Sequence, residues 1–298
     1  MSLDAHGRLG DMILDGGLSN ALVSRGHDLS GDLWTAALLR DAPEEVAAVH
    51  RAYFEAGAEV ATTASYQASI PGFVAAGMSR TEAEALVRST VTRARAVRDE
   101  LAGDGRRRLV AASVGPYGAV LADGSEYVGR YGLSAGWLRD FHLPRIELLA
   151  SAGPDLLAVE TIPDAEEAEV LVGILEEIGL PAWLSYSVSG TATRAGQHLA
   201  DAFAVAGSSA TLVAVGVNCC APDDVLPALE IARGTTGLPG IAYPNSGQGW
   251  DSGTHTWSGE ASYDVALAPS WVAAGAAYVG GCCEVGPRDI AALARTLG

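Results

Sequence analysis

All four cysteines of the chain fall in two short patches, Asn218-Cys219-Cys220 and Gly280-Gly281-Cys282-Cys283. Each patch closes an apolar, strand-like run. Adjacent thiols, a glycine pair and a distant third thiol make a soft-metal ligand set. Zinc is the ion that thiolates suit, and it needs three or four of them. Three protein thiolates leave one position open for chemistry. Two plainer readings compete: buried apolar thiols, common for free cysteine, and disulfides, which a cytoplasmic chain disfavours. Clustering at two strand ends favours the metal. A regular strand would send Cys282 and Cys283 to opposite faces, so joint ligation requires the strand to end before them. Gly280 and Gly281 are expected to give the backbone the freedom to do so.

These residues must be carried by a frame, and the pattern of the chain predicts one. Short apolar runs alternate with longer amphipathic stretches throughout, which predicts repeated strand–helix units and a parallel sheet. The candidate strands are Met12–Gly17, Val60–Tyr66, Leu109–Pro116, Leu156–Ile162, Ala182–Val188, Val213–Cys219, Gly240–Asn245 and Tyr278–Cys283. Ser79-Arg80-Thr81-Glu82 has the form of a capping box ahead of a long helix, and Pro287 suits the first position of the last one. Eight strands in 298 residues, with no linker-like stretch, predict a single (β/α)8 barrel over residues 1–298, with its active site at the C-terminal ends of the strands. A doubly wound open sheet is the alternative, but no G-x-G-x-x-G follows the first strand. Tyr117 to Gly136 and Ser246 to Ser262 are long connections on the predicted active face and read as functional loops.

Composition excludes several classes of function. The net charge of −17 argues against nucleic acid, whose phosphates demand a basic footprint. The acidic groups gather at helix starts such as Asp41 to Glu45 and Asp164 to Glu167, so they read as a solvated surface. Every basic residue is an arginine, which excludes Schiff-base and lysine-base mechanisms. No apolar run reaches the roughly 18 residues of a membrane span, and Met1 to Gly10 lacks the apolar stretch of a secretory signal. The expectation is a cytoplasmic protein acting on small molecules.

Beyond the cysteines, an ordered set of segments carries a resemblance. Leu14-Asp15-Gly16-Gly17, Thr63-Ala64-Ser65-Tyr66-Gln67, Ser113-Val114-Gly115-Pro116-Tyr117-Gly118, Leu121 to Tyr127, Glu160-Thr161-Ile162-Pro163, Asn218-Cys219, Tyr243-Pro244-Asn245-Ser246-Gly247 and Gly280-Gly281-Cys282-Cys283 run from the first strand to the last. Together they resemble the zinc-dependent homocysteine S-methyltransferases. The resemblance implies methyl transfer from a sulfonium donor, S-methylmethionine or S-adenosylmethionine, to the thiol of L-homocysteine, giving methionine. It implies Zn2+ held by Cys219, Cys282 and Cys283, with Cys220 a bystander. Glu160 matches the acidic residue that holds the amino group of homocysteine, and an apolar strand, Leu156 to Val159, delivers it. Asp15 and Gly16 are expected at the zwitterionic end of the substrate, Tyr66 and Gln67 in the pocket wall, and Asn218 at the substrate or under the Cys219 loop. Trp34, Tyr117, Tyr127 and Trp250 are candidates for cation–π contact with the donor.

The chain departs from the family pattern at Ala64, where an asparagine is usual, at Gln248, where a glutamate is usual, and in the short stretch Ser189 to Gly196. These leave the donor open. Betaine–homocysteine and selenocysteine methyltransferases are the enzymatic alternatives, and a zinc- or thiol-sensing barrel without catalysis is the other class. A zinc hydrolase is disfavoured because the histidines show no paired ligand spacing.

Overall fold

The protein is described here by a computed structural model. It covers residues 12–29, 35–251 and 256–298, with backbone alone for 35–37, 250, 251 and 256. Trp34, His6 and His255 lie outside the described residues, as does the side chain of Trp250.

Eight parallel strands form one sheet: β1 (Met12–Ile13), β2 (Val60–Thr62), β3 (Leu109–Val114), β4 (Leu156–Ile162), β5 (Ala182–Tyr186), β6 (Leu212–Asn218), β7 (Gly240–Tyr243) and β8 (Ala276–Val279). Each pairs with the next in sequence from β2 to β8, and β8 pairs with β1. The parallel bridge Leu14↔Val60 closes the ring. This is the (β/α)8 barrel, with all eight expected strands in place. Each predicted strand runs past the observed one at its C-terminal end except Leu156–Ile162, because those last residues turn into the loops that build the site.

Buried on both sides, the strands read as near-continuous apolar runs, and the period of two sorts their side chains. Met12, Leu14, Val60, Leu109, Ala111, Leu156, Ala158, Trp183, Ala214, Ile241, Tyr243 and Tyr278 fill the barrel. Val110, Ala112, Val114, Leu157, Val159, Leu184, Val215 and Val217 face the helices and join the larger outer core. The same alternation decides what comes at the top. Continuing Leu109 and Ala111 by two residues gives Ser113, and continuing Leu156 and Ala158 gives Glu160. Thr62, Ser185 and Asn218 follow in the same way. The apolar interior is thus capped at its C-terminal end by a layer of polar side chains.

The helices seat this ring. Ser79 and Glu82 form the capping box that starts Arg80–Glu100, which buries Ala83, Val87, Val91, Ala94 and Val97 along one face. The last helix, Pro287–Leu297, begins on its proline and buries Ile290 and Leu293. The long connections are structured. After β3 come a short helix, Tyr117–Leu121, and a single 3-10 turn, Ser125–Tyr127. After β7 comes the hairpin of Gly249–Asp251 with Thr256–Ser258. No helix among the described residues is long and apolar enough to cross a membrane.

Candidate active site

The three cysteines converge. The Sγ atoms of Cys219, Cys282 and Cys283 all lie within 4.8 Å of one another. Cys219 is 3.8 Å from Cys283, and Cys282 is 3.9 Å from Cys283. A tetrahedral ion with Zn–S bonds of about 2.3 Å spaces its sulfurs about 3.8 Å apart. The trio fits a thiophilic dication on geometry as well as on donor type.

Backbone geometry brings the sulfurs together. β8 ends at Val279, so Cys282 and Cys283 sit on the loop beyond it. That loop is pinned by Cys282 N–H on Pro244 O at 2.8 Å, Cys283 N–H on Asn245 Oδ1 at 3.2 Å and Gly281 N–H on Asp15 O at 3.1 Å. The two glycines serve packing rather than dihedral freedom, which corrects the sequence expectation. Neither has a positive φ. A Cβ on Gly281 would lie 2.1 Å from the Val285 side chain, and one on Gly280 would lie 2.6 Å from Leu14. The left-handed backbone falls on Cys219 itself, at φ 51°, and on Thr161, at φ 60°. Asn218 clamps these two turns together. Its Oδ1 accepts from Thr161 N–H at 2.7 Å and from Ser185 Oγ at 2.7 Å, and its Nδ2 donates to Thr161 Oγ1 at 2.7 Å.

The three thiols act on one another. Hydrogen bonds from Cys282 and Cys283 hold the Cys219 thiol well below the usual thiol range, and those two thiols are pushed up by bonding to Cys219 and by burial. The Tyr127 hydroxyl lies 3.3 Å from Cys219 Sγ, and the Arg194 guanidinium sits 5.9 Å from the Tyr127 ring centroid. Cys220 faces the other way. It is buried in the outer core, with its thiol pushed up mainly by burial.

The sulfurs open on a cavity of about 430 Å³, lined among others by Gly16, Thr62, Tyr66, Gln67, Ser113, Glu126, Tyr127, Glu160, Tyr243 and Trp257. The Glu160 carboxyl is pushed up to about 7, chiefly by burial. The hydroxyls of Ser113 and Tyr243 bond to it and oppose that rise. Tyr243 is itself fixed by Trp183 Nε1 donating at 3.0 Å and by Ser185 at 2.7 Å. Gln67 donates to Ala119 O at 3.0 Å.

Two expected site residues stand behind the wall. Asp15 and Asn218 are buried and do not line the cavity. Asp15 accepts from Thr62 N–H at 2.8 Å and Thr62 Oγ1 at 2.6 Å. Burial pushes its carboxyl up to about 8, against those two bonds. Among the donor candidates, Tyr127 lines the cavity. Tyr117 does not: it is held edge-on by Tyr131, Trp137 and Phe141 at centroid distances of 5.3, 4.8 and 5.1 Å. Trp257 and Glu126 line the cavity and were missed. Their positions depend on how two loops fold back, which strand periodicity does not encode.

A family model described as homocysteine S-methyltransferase matches residues 12–297. The chain belongs to the homocysteine S-methyltransferase family. Homocysteine S-methyltransferase 1 of Zea mays is 43% identical, over 97% of this chain and 94% of its own. The homocysteine S-methyltransferase of Escherichia coli K12 is 41% identical, over 95% of this chain and 94% of its own. The metallated form of the homocysteine methyltransferase MmuM from Escherichia coli superposes with a TM-score of 0.89 at 40% identity, covering 99% of both chains. As a homocysteine S-methyltransferase, the protein is an enzyme that transfers methyl groups between small molecules.

Proposed function

We propose that this homocysteine S-methyltransferase uses Zn2+ held by Cys219, Cys282 and Cys283, and takes its methyl group from a sulfonium compound, S-methylmethionine before S-adenosylmethionine. The observation that supports this best is the convergence of the three sulfurs, two of whose spacings, 3.8 and 3.9 Å, match the edge of a tetrahedral thiolate site. Bound there, zinc supplies the Lewis acidity that lets a thiol near pKa 8.5 react as a thiolate at neutral pH.

The chain's own residues do the positioning. Glu160 receives the ammonium of homocysteine, with the buried Asp15 carboxyl behind it, and Gly16 lines the same cavity. Tyr66 and Gln67 form the wall that directs the substrate's sulfur toward the cysteines. Tyr127 donates to Cys219, tempering the negative charge of the trio, while Asn218 holds the Cys219 turn. The sulfur of homocysteine forms a bond to the methyl carbon in line with the departing donor sulfur. That sulfur keeps the electron pair of the broken bond, so thiolate and sulfonium become two neutral thioethers. The thiol proton leaves to solvent. Alignment of this kind is worth up to about 7–11 kcal/mol. The aromatic rings of Tyr66, Tyr127 and Trp257 suit a cationic donor.

Zinc content and methyl transfer from S-methylmethionine, S-adenosylmethionine and betaine, each measured on purified protein, test the reading. Wild type is expected to hold about one zinc and to prefer a sulfonium donor. Cys282→Ser is expected to lose most of both metal and activity, and Cys220→Ala to keep them within about twofold. A Cys282→Ser protein with full zinc and full activity would sink the proposal.

A further inference from the structure

Glu126 has no place in the roles given so far, yet it is only 6% exposed and lines the cavity. Its position is built. Gly124, at φ 86°, turns the chain into the 3-10 turn Ser125–Tyr127. That turn packs on Gly118, where a Cβ would lie 2.6 Å from Glu126 N. Tyr127, the next residue, is fixed by its hydroxyl on Cys219. So held, Glu126 keeps a buried Oε2 with no hydrogen-bond partner among the described residues. The charged groups acting on it are Cys219 and Asp123, both negative when ionised. Burial and these charges push its carboxyl up to about 7. A buried acid oxygen without a partner is costly, and the group that would relieve it is a cation entering from the cavity.

The cavity contains a second buried carboxyl, Glu160. Tyr66 and Cys219 act electrostatically with both. The sulfur trio and the two acids line one cavity. Glu160 is already bonded by Ser113 and serves the ammonium of homocysteine. The reaction brings a second molecule, and a sulfonium donor is a cation.

We infer that Glu126 is the donor-side counterion, receiving the positive head of the methyl donor, its sulfonium centre or its α-ammonium, and so favouring cationic donors. This rests on the sulfonium donor proposed above. Because the sulfonium loses its charge as the methyl moves, a carboxylate against it steadies the ground state more than the transition state. A carboxylate against the ammonium acts equally on both. The two contacts thus differ in kcat.

The test titrates zinc-loaded wild type, Glu126→Gln, Glu126→Asp and Glu160→Gln calorimetrically with S-methylmethionine and, separately, with homocysteine. Glu126→Gln is expected to weaken S-methylmethionine binding at least tenfold, with homocysteine affinity and zinc content within twofold of wild type. Glu126→Asp, which keeps the charge, should recover part of the loss, and Glu160→Gln should show the reverse pattern. In steady-state turnover, an unchanged kcat for Glu126→Gln assigns the ammonium, and a raised kcat assigns the sulfonium. Unaltered S-methylmethionine affinity in a Glu126→Gln protein that still holds zinc and homocysteine overturns the inference, as does equal loss of both ligands. If wild type binds homocysteine but no sulfonium compound, the donor assignment itself fails and this inference falls with it. That pattern does not depend on any variant.

Discussion

A carboxyl at the inner top of β4 is worth having only while it is ionised, and Glu160 is poised at the edge of that condition. Burial raises it to about 7, so the free enzyme carries a proton there through the acidic range. An ammonium binds the charged form, so homocysteine binding expels that proton. Affinity should therefore rise with pH up to about 7 and then lose this dependence. The substrate's own thiol adds a further rise toward its pKa near 8.5, which makes the difference between proteins the proper readout. Glu160→Gln removes the inflection near 7 and leaves the thiol's contribution. At pH 8 it should also weaken homocysteine about 10- to 100-fold, the worth of a hydrogen bond to a charged group. Homocysteine KM measured from pH 6 to 9 for both proteins checks this. If their pH profiles coincide, Glu160 does not carry the ammonium.

Between a residue and the barrel stands the strand end, and here Asn218 governs two at once. It joins the left-handed turn at Thr161, next to Glu160, to the left-handed turn at Cys219. Left-handed backbone at a non-glycine residue costs on the order of 1–3 kcal/mol and persists only when its surroundings hold it. Asn218→Ala removes the partner of a buried Thr161 N–H, at a stability cost of about 1–3 kcal/mol. It should also weaken zinc and homocysteine together, because one clamp serves both turns. Chemical denaturation, zinc titration and homocysteine KM give the three readouts, and a purely stabilising role would move the first alone. This scale also shows what the sequence makes legible. The eight strands are readable because each is an apolar run, and Glu160 follows from parity with Leu156 and Ala158. The inward sides of Ser113, Ser185 and Asn218 follow from the same rule. Glu126 and Trp257 do not, because their burial is decided by a turn seated on Gly118 and by a hairpin after β7. Nor does the bonding of Asp15, whose partner Thr62 lies 47 residues away.

Across the whole molecule, that bond between Asp15 and Thr62 lies at the barrel's weakest joint. β1 is two residues long and meets β2 through one bridge, Leu14↔Val60, with Glu59 N–H on Ile13 O at 2.7 Å and Asp15 N–H on Val60 O at 3.1 Å beside it. The Asp15 carboxyl adds two contacts to Thr62 at the top of this joint. On the other side of β1, the loop after β8 is tied down by Gly281 N–H on Asp15 O and Gly17 N–H on Val285 O. An ion held by Cys219, Cys282 and Cys283, as proposed, would fasten that same loop to β6. Barrel closure and metal binding therefore act on one segment, residues 14–17. Asp15→Ala should cost about 1–3 kcal/mol, from the two hydrogen bonds lost at Thr62. Chelating the metal should remove about 3 kcal/mol if zinc is present at a hundredfold or more over its Kd. Groups that share partners couple, whereas distant ones add within about 0.5 kcal/mol. Denaturation of wild type and Asp15→Ala, each with zinc and with chelator, closes the cycle. The expected result is that zinc stabilises the variant less than wild type by about 1 kcal/mol or more, because a loosened β1 holds the β8 loop less firmly for the ion. Strict additivity would mean that the barrel closes independently of its metal, and the joint would then be a matter of folding alone.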